Sequence, residues 1–184
     1  MNIRSIFWQR ESNFGHILNC AAFSFILIQA QKETPLKHDF IPFLIRAKQA
    51  TYAGEGPHSA SSRPQSHDLH YQEDDYLYID TYLGGINFLG EEAVWHKGTP
   101  IWGMNYSGYM LSPEIPAGFS EFLKAALMRV PADAPYRGPS TFRQKGFEYR
   151  CRGEGTPENF YGKEAVHLNG QAIYELRFHG GIIG

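Results

Sequence analysis

The stretch NFLGEEAVWHKGTPIWGMNYSG, Asn87 to Gly108, returns as NFYGKEAVHLNGQAIYELRFHG, Asn159 to Gly180, without a gap and at a constant offset of 72. Nine of the 22 positions are identical, and Trp102/Tyr174 and Tyr106/Phe178 keep an aromatic ring. Each copy has an X-Gly pair at its middle, Lys97-Gly98 and Asn169-Gly170, the second a strong type I′ hairpin signal. The repeat therefore reads as one hairpin written twice, which is architecture and not yet chemistry. In a two-residue hairpin the paired residue numbers sum to a constant. That rule sets Ala93 opposite Trp102 and Glu92 opposite Gly103, with Ala165 opposite Tyr174 and Glu164 opposite Glu175. One face is then apolar, with Ala93, Trp95, Trp102, Met104 and Tyr106 in the first copy and Ala165, Tyr174, Leu176 and Phe178 in the second. The other face carries Glu92 with Asn105 and Glu164 with Arg177. The acids common to both copies imply a structural role, such as pairing with Arg177 or a backbone amide.

The repeat extends outward from the hairpins. DFIPFLIRAKQA from Asp39 spaces Phe40, Phe43, Leu44 and Ala47 at i, i+3, i+4 and i+7, a helical stripe with Asp39 as N-cap and Pro42 in the first turn. GFSEFLKAALMRVP from Gly118 keeps the same spacing in Phe119, Phe122, Leu123 and Ala126, at an offset of 79, and Pro131 ends it. Between helix and hairpin, DYLYIDTYLG alternates Tyr76, Tyr78, Asp80 and Tyr82 against Leu77, Ile79, Thr81 and Leu83. GFEYRCRG alternates Phe147, Tyr149 and Cys151 against Glu148, Arg150 and Arg152. Each half reads as helix, strand, strand, strand. The predicted fold class is α+β: two internally duplicated units, 39–108 and 118–180, forming an antiparallel sheet with both helices packed on one face of a single domain, 39–184.

Composition bounds the function. Tyr, Phe and Trp number 11, 13 and 3, as expected where rings fill a sheet face. A formal charge of −2 provides no basic field for nucleic acid, and Cys20 and Cys151 form no disulfide framework or zinc knuckle. The expectations are a cytoplasmic chain that neither binds nucleic acid directly nor enters a membrane, and that holds no cofactor and no metal. Residues 1–38 read as an N-terminal extension: a packed arm, an upstream piece from a misassigned start, or a weak export signal. The apolar run Ile17 to Ala30 follows Arg4 and Arg10, but it is interrupted by Asn19 and Gln29 and too short to span a bilayer.

If duplication supplies the scaffold, function belongs where the copies diverge. The offset falls from 79 at the helices to 72 at the hairpins, so the first half holds about seven extra residues, in AGEGPHSASSRPQSHDLH, Ala53 to His70. A loop of this composition suits binding: Arg63 to clamp a carboxylate or phosphate, and His67 beside Asp68 for proton transfer. Asp80 shares a strand face with three tyrosines, so burial there requires a hydrogen bond from a tyrosine, Arg63 or Arg137, or a retained proton. Arg63, His67, Asp68, Asp80, Tyr82, Trp102 and Asn105 are the candidate ligand residues. The leading expectation is a non-catalytic domain binding a small polar or anionic ligand where the long loop closes over the tyrosine-bearing strand. The alternatives are a small enzyme using His67 and Asp68 as acid and base, and a protein-contact module.

The blocks FLIRAKQATYAGEG, SSRPQSHDL, DYLYIDTYLGG, GEEAVWHKGTPIWGMNYSG, FLKAAL, VPADAPYRGP and FHGG, in this order from Asp39 to Gly181, resemble a bacterial domain-of-unknown-function family, number 5680. The resemblance implies a ligand-sensing or protein-contact module, because some members of that family follow an Xre-type helix-turn-helix. The first 38 residues here lack the two short polar helices and glycine turn of such a unit, so a regulatory role implies a separate DNA-binding partner.

Overall fold

The FxxFL spacings become two helices, α1 (Phe40–Ala53) and α2 (Phe119–Leu127), in a computed structural model that describes residues 36–53 and 61–184. Phe40, Phe43, Leu44 and Ala47 are all at most 1% exposed, while in α2 Phe119, Phe122 and Ala126 are buried and Leu123 is half-buried. Their rings meet the rings of strands: Phe40 against Trp102 at 6.0 Å, Phe43 stacked on Tyr76 at 4.7 Å, Phe119 against Tyr174 at 5.4 Å and Phe122 stacked on Phe147 at 5.0 Å. Each such phenylalanine contributes about 1.5–3 kcal/mol through burial. Asp39, expected to cap α1 with its side chain, instead accepts a hydrogen bond from the Tyr76 hydroxyl at 2.9 Å and so ties the helix start to the sheet.

Eight strands are described: β1 (His67–Glu73), β2 (Tyr76–Gly84), β3 (Asn87–His96), β4 (Thr99–Met110), β5 (Thr141–Gln144), β6 (Phe147–Thr156), β7 (Asn159–Leu168) and β8 (Gln171–Ile182). All pair antiparallel in one sheet, in the order β1-β2-β3-β4-β8-β7-β6-β5. The class is α+β. The centre is the β4–β8 seam, where Tyr106 lies opposite Phe178 and Met110 opposite Tyr174. Each helix is followed by four strands, one more than expected. β1 and β5 lie at the two edges of the sheet. β1 is polar at most positions and β5 is four residues long, so neither writes a clean alternation. The turn between β5 and β6, Lys145-Gly146, has positive φ at both residues, as do Lys97-Gly98 and Asn169-Gly170.

The hairpin register differs from expectation in a way that matters. The two-residue rule holds only next to the turns, for His96 with Thr99 and Trp95 with Pro100, and for Leu168 with Gln171 and His167 with Ala172. A bulge between Val94 and Trp95, and another between Val166 and His167, then shifts each pairing by one residue. Val94 faces Trp102, Ala93 faces Gly103 and Glu92 faces Met104; Val166 faces Tyr174, Ala165 faces Glu175 and Glu164 faces Leu176. Directly opposed residues share a face, and a one-residue slip moves every side chain of a strand across the sheet. Glu92 and Glu164 therefore point into the core, at 0% and 1% exposed, while Ala93 and Trp95 lie on the other face. Gly90 and Gly162 fit the same plan. A Cβ on either would meet a ring within 2.4 Å, that of Tyr106 over Gly90 and of Phe178 over Gly162.

The expected loop from Ala53 to His70 ends sooner than anticipated, because His67 already belongs to β1. Its residues 54–60, like the N-terminal run with Cys20, lie outside the described residues. Among the described residues no helix is long and apolar enough to cross a membrane.

Candidate functional site

Of the residues nominated from the sequence, His67, Tyr82 and Asp80 share one face of the sheet, while Asp68 and Asn105 lie on the other. Arg63 is exposed in a turn closed by Ser66, whose backbone N–H donates to the Arg63 carbonyl at 3.0 Å. His67 is exposed and stacks on Tyr82 at 4.8 Å, on the same face as Asp80. Asp68, the next residue on the strand, points the opposite way. It is buried and accepts hydrogen bonds from the Ser62 N–H at 2.8 Å and the Thr81 hydroxyl at 2.6 Å. Burial alone would raise its pKa, but the hydrogen bonds from Ser62, Thr81 and Ser66 hold it below the usual carboxylate range. Asp68 anchors the turn, so His67 and Asp68 do not face one another. Trp102 is fully buried, donates to the Pro157 carbonyl at 2.9 Å and stacks on Phe160. Asn105 is exposed on the face away from the core, opposite His179.

A buried ionic cluster joins α1 to the sheet. Lys48 of α1 donates to Glu92 and, at 2.8 Å, to the Tyr136 carbonyl. Arg137 forms a two-pronged pair with Glu164 at 3.0 and 2.9 Å and stands 3.9 Å from Glu92. The hydroxyls of Tyr149 and Tyr174 also donate to Glu164, at 2.6 and 2.8 Å, and Tyr106 donates to Asp80 at 2.6 Å. Desolvation is the largest influence on Glu164 and pushes its pKa up, yet Arg137 and the two tyrosines outweigh it and hold the group low. At Asp80 desolvation and then the neighbouring Glu92 prevail, and the carboxyl is pushed up to about 7. Desolvation likewise lowers Lys48 against the pull of Glu92. With Asp80 protonated, Lys48 and Arg137 balance Glu92 and Glu164, as burial demands. Arg177, proposed above as the partner of Glu164, lies on the other face. Lys48 was legible as a partner: it continues the α1 apolar stripe at i+8 from Phe40.

The outer face of β6, β7 and β8 is organised differently. Arg152 lies directly opposite Lys163, and Lys163 directly opposite Arg177, giving three cations in line across three adjacent strands. All three are exposed, and none has a hydrogen-bond or ion-pair partner among the described residues. They line a groove of about 440 Å³ together with Arg150, His167 and Glu175. The nearby acids are engaged elsewhere: Glu148 by Arg143 and Arg150, at 2.7 and 2.9 Å, Glu175 by the Tyr109 hydroxyl at 3.0 Å, and Glu154 by the Tyr161 hydroxyl. Cys151, half-buried on the core side, has its thiol pushed up to about 12, by burial first and then by Glu164, which disfavours the thiolate. No cluster of three or more metal-ligating side chains occurs among the described residues.

A family model described as Domain of unknown function (DUF5680) matches residues 80–183. The match takes in Glu92, Arg137, Glu164 and the whole cation row, and it leaves α1 and β1 outside, so it is narrower than the span from Asp39 read in the sequence. No curated protein and no solved structure matches the chain.

Proposed function

We propose that this chain, which belongs to the DUF5680 family, is a non-catalytic binding module that holds a small anionic ligand on the outer face of β6–β8 through Arg152, Lys163 and Arg177. The observation that carries this reading is the row itself. Like charges placed directly opposite one another across strands are destabilising by a few tenths to about 1 kcal/mol per pair. Here two such pairs share a residue, no acid among the described residues is ion-paired with any of the three, and a bound anion relieves both pairs.

The location rests on a second reading, that the two halves are copies of one unit whose helices cover the same face of the sheet. Its supports are the shared FxxFL stripe, the two hairpins bulged at corresponding positions, the matched glycines Gly90 and Gly162, and a strand order that runs inward from both edges. The positions corresponding to Arg152, Lys163 and Arg177 in the first half are Thr81, Glu91 and Asn105, which also stand in one cross-strand row. A scaffold common to both halves needs no cations there, so the divergence marks the ligand's side of the molecule. The acid–base alternative is not carried further, because His67 and Asp68 face opposite sides of β1.

Titration calorimetry with pyrophosphate is the test. Binding is expected to weaken steeply with added salt and to vanish in the triple variant Arg152→Ala/Lys163→Ala/Arg177→Ala. Salt-independent binding, or binding unchanged in that variant, would sink the proposal.

A further inference from the structure

We infer that the ligand is a nucleoside polyphosphate, its phosphate chain lying along Arg152, Lys163 and Arg177 and its base resting on Tyr161 beside His179; this rests on the anion-binding reading above and specifies its ligand. The row dictates the phosphate part. Neighbouring strands are ~4.8 Å apart, so three cations in line span about 10 Å. One phosphate bridges two of them, whereas a chain of two or three uses all.

The flanks of the row dictate the rest. On one side, two residues further along each strand, Tyr161 stands directly opposite His179, and His179 directly opposite Asn105. Tyr161 is 58% exposed, the largest exposure among the large hydrophobic side chains described. Its hydroxyl donates a hydrogen bond to Glu154, which fixes the ring beside the cations. An exposed, anchored ring next to an unpaired cation row is a stacking platform with a phosphate anchor. Asn105 supplies an amide at the far end of this flank, in reach of a base edge. On the other side the row reads Arg150, Ala165, Glu175 and Tyr109; the Tyr109 ring, at 38% exposed, is less open than that of Tyr161 and stands beyond Glu175, to which its hydroxyl donates at 3.0 Å.

The same surroundings separate a free nucleotide from a nucleic-acid strand. Beyond Arg177 the row continues into Ser107 and Leu89, and the flanking row into Asn105 and Glu91, so the positive track stops at the centre of the sheet. A strand of DNA or RNA needs a track that goes on. The groove of about 440 Å³ has the volume of a small-molecule site and opens on the Arg150, Ala165 and Glu175 side of the row, with Tyr161 and His179 outside it on the other side.

The test compares tripolyphosphate, ATP and an oligothymidylate on the full chain, by titration calorimetry at one salt concentration, with Tyr161→Ala and Tyr161→Phe as variants. ATP is expected to bind about 10-fold more tightly than tripolyphosphate, the contribution of one stacked base. Tyr161→Ala should remove that preference without altering tripolyphosphate affinity, and Tyr161→Phe, which keeps the ring, should retain most of it. Equal affinity for ATP and tripolyphosphate in the unaltered chain, or a Tyr161→Ala effect of the same size on both, overturns the nucleotide assignment and leaves anion binding standing. An oligothymidylate bound more tightly than ATP overturns the assignment to a free nucleotide. Failure of both phosphate ligands to bind overturns the anion reading itself.

Discussion

Glu164 and Lys163 are neighbours on β7 and point to opposite faces of the sheet. Glu164, 1% exposed, accepts four hydrogen bonds from Arg137, Tyr149 and Tyr174; Lys163, exposed, stands between Arg152 and Arg177 with no partner of opposite charge among the described residues. The difference lies in the solvent. Inside, an uncompensated charge costs several kcal/mol, so the fold carries buried ions only as a matched set. Outside, water screens repulsion down to a fraction of that, so three cations persist in line at a cost the fold bears. The inner set is explained by folding alone. The outer row is not, and it is there that a ligand has something to relieve.

The largest effect expected from breaking this contrast is on the inner face. Glu164→Ala leaves Arg137 buried without its main partner and is expected to cost about 3–5 kcal/mol in urea denaturation. A cost below about 1 kcal/mol would mean that water reaches the cluster and that the two faces do not differ as described. The double variant Arg137→Met/Glu164→Leu should recover a large part of the loss, because apolar replacement removes both desolvation penalties together.

Next in size is a pH effect at Asp80. Its carboxyl keeps its proton to about pH 7 in the fold but releases it near pH 4 when unfolded, so between these values the folded form binds more protons and stability falls as the pH rises. The loss is complete above about pH 7. The groups facing it are Glu92, Tyr106, Lys48 and Arg137. Relative to the unaltered chain, Asp80→Asn is expected to gain roughly 2–3 kcal/mol between pH 5 and pH 8. Parallel stability profiles for the two proteins would place the Asp80 carboxylate ionised throughout.

The smallest effect is expected on the outer face. Lys163→Glu turns two like-charge pairs into opposite-charge pairs and should stabilise the chain by a few tenths of a kcal/mol while abolishing pyrophosphate binding. A marked destabilisation would make Lys163 part of the scaffold instead.

Much of the fold was legible, and the reasons can be given residue by residue. The FxxFL stripes, the alternation around Tyr78 and Tyr149, and the turns at Lys97-Gly98 and Asn169-Gly170 are local signals that survive folding unchanged. β1 and β5 were missed because edge strands have one neighbour and little reason to alternate. The bulges, which leave Ile101 and Ile173 unpaired opposite Val94–Trp95 and Val166–His167, were not legible, since nothing in those side chains records an extra backbone residue, and this slip put Glu92 and Glu164 on the wrong face. With them inside, Lys48 and Arg137 had to follow. The cation row depends equally on register: Arg152, Lys163 and Arg177 are far apart in sequence, and only pairing across β6, β7 and β8 brings them into line.

The account turns on whether that row binds an anion, and thermal unfolding with and without tripolyphosphate answers this directly. A ligand present at 100 times its Kd stabilises the folded state by about 2.7 kcal/mol. The expected result is a midpoint that rises with tripolyphosphate for the unaltered chain and for Asp80→Asn, and stays fixed for Lys163→Glu. A midpoint indifferent to tripolyphosphate in the unaltered chain, or one that rises equally in Lys163→Glu, would contradict it.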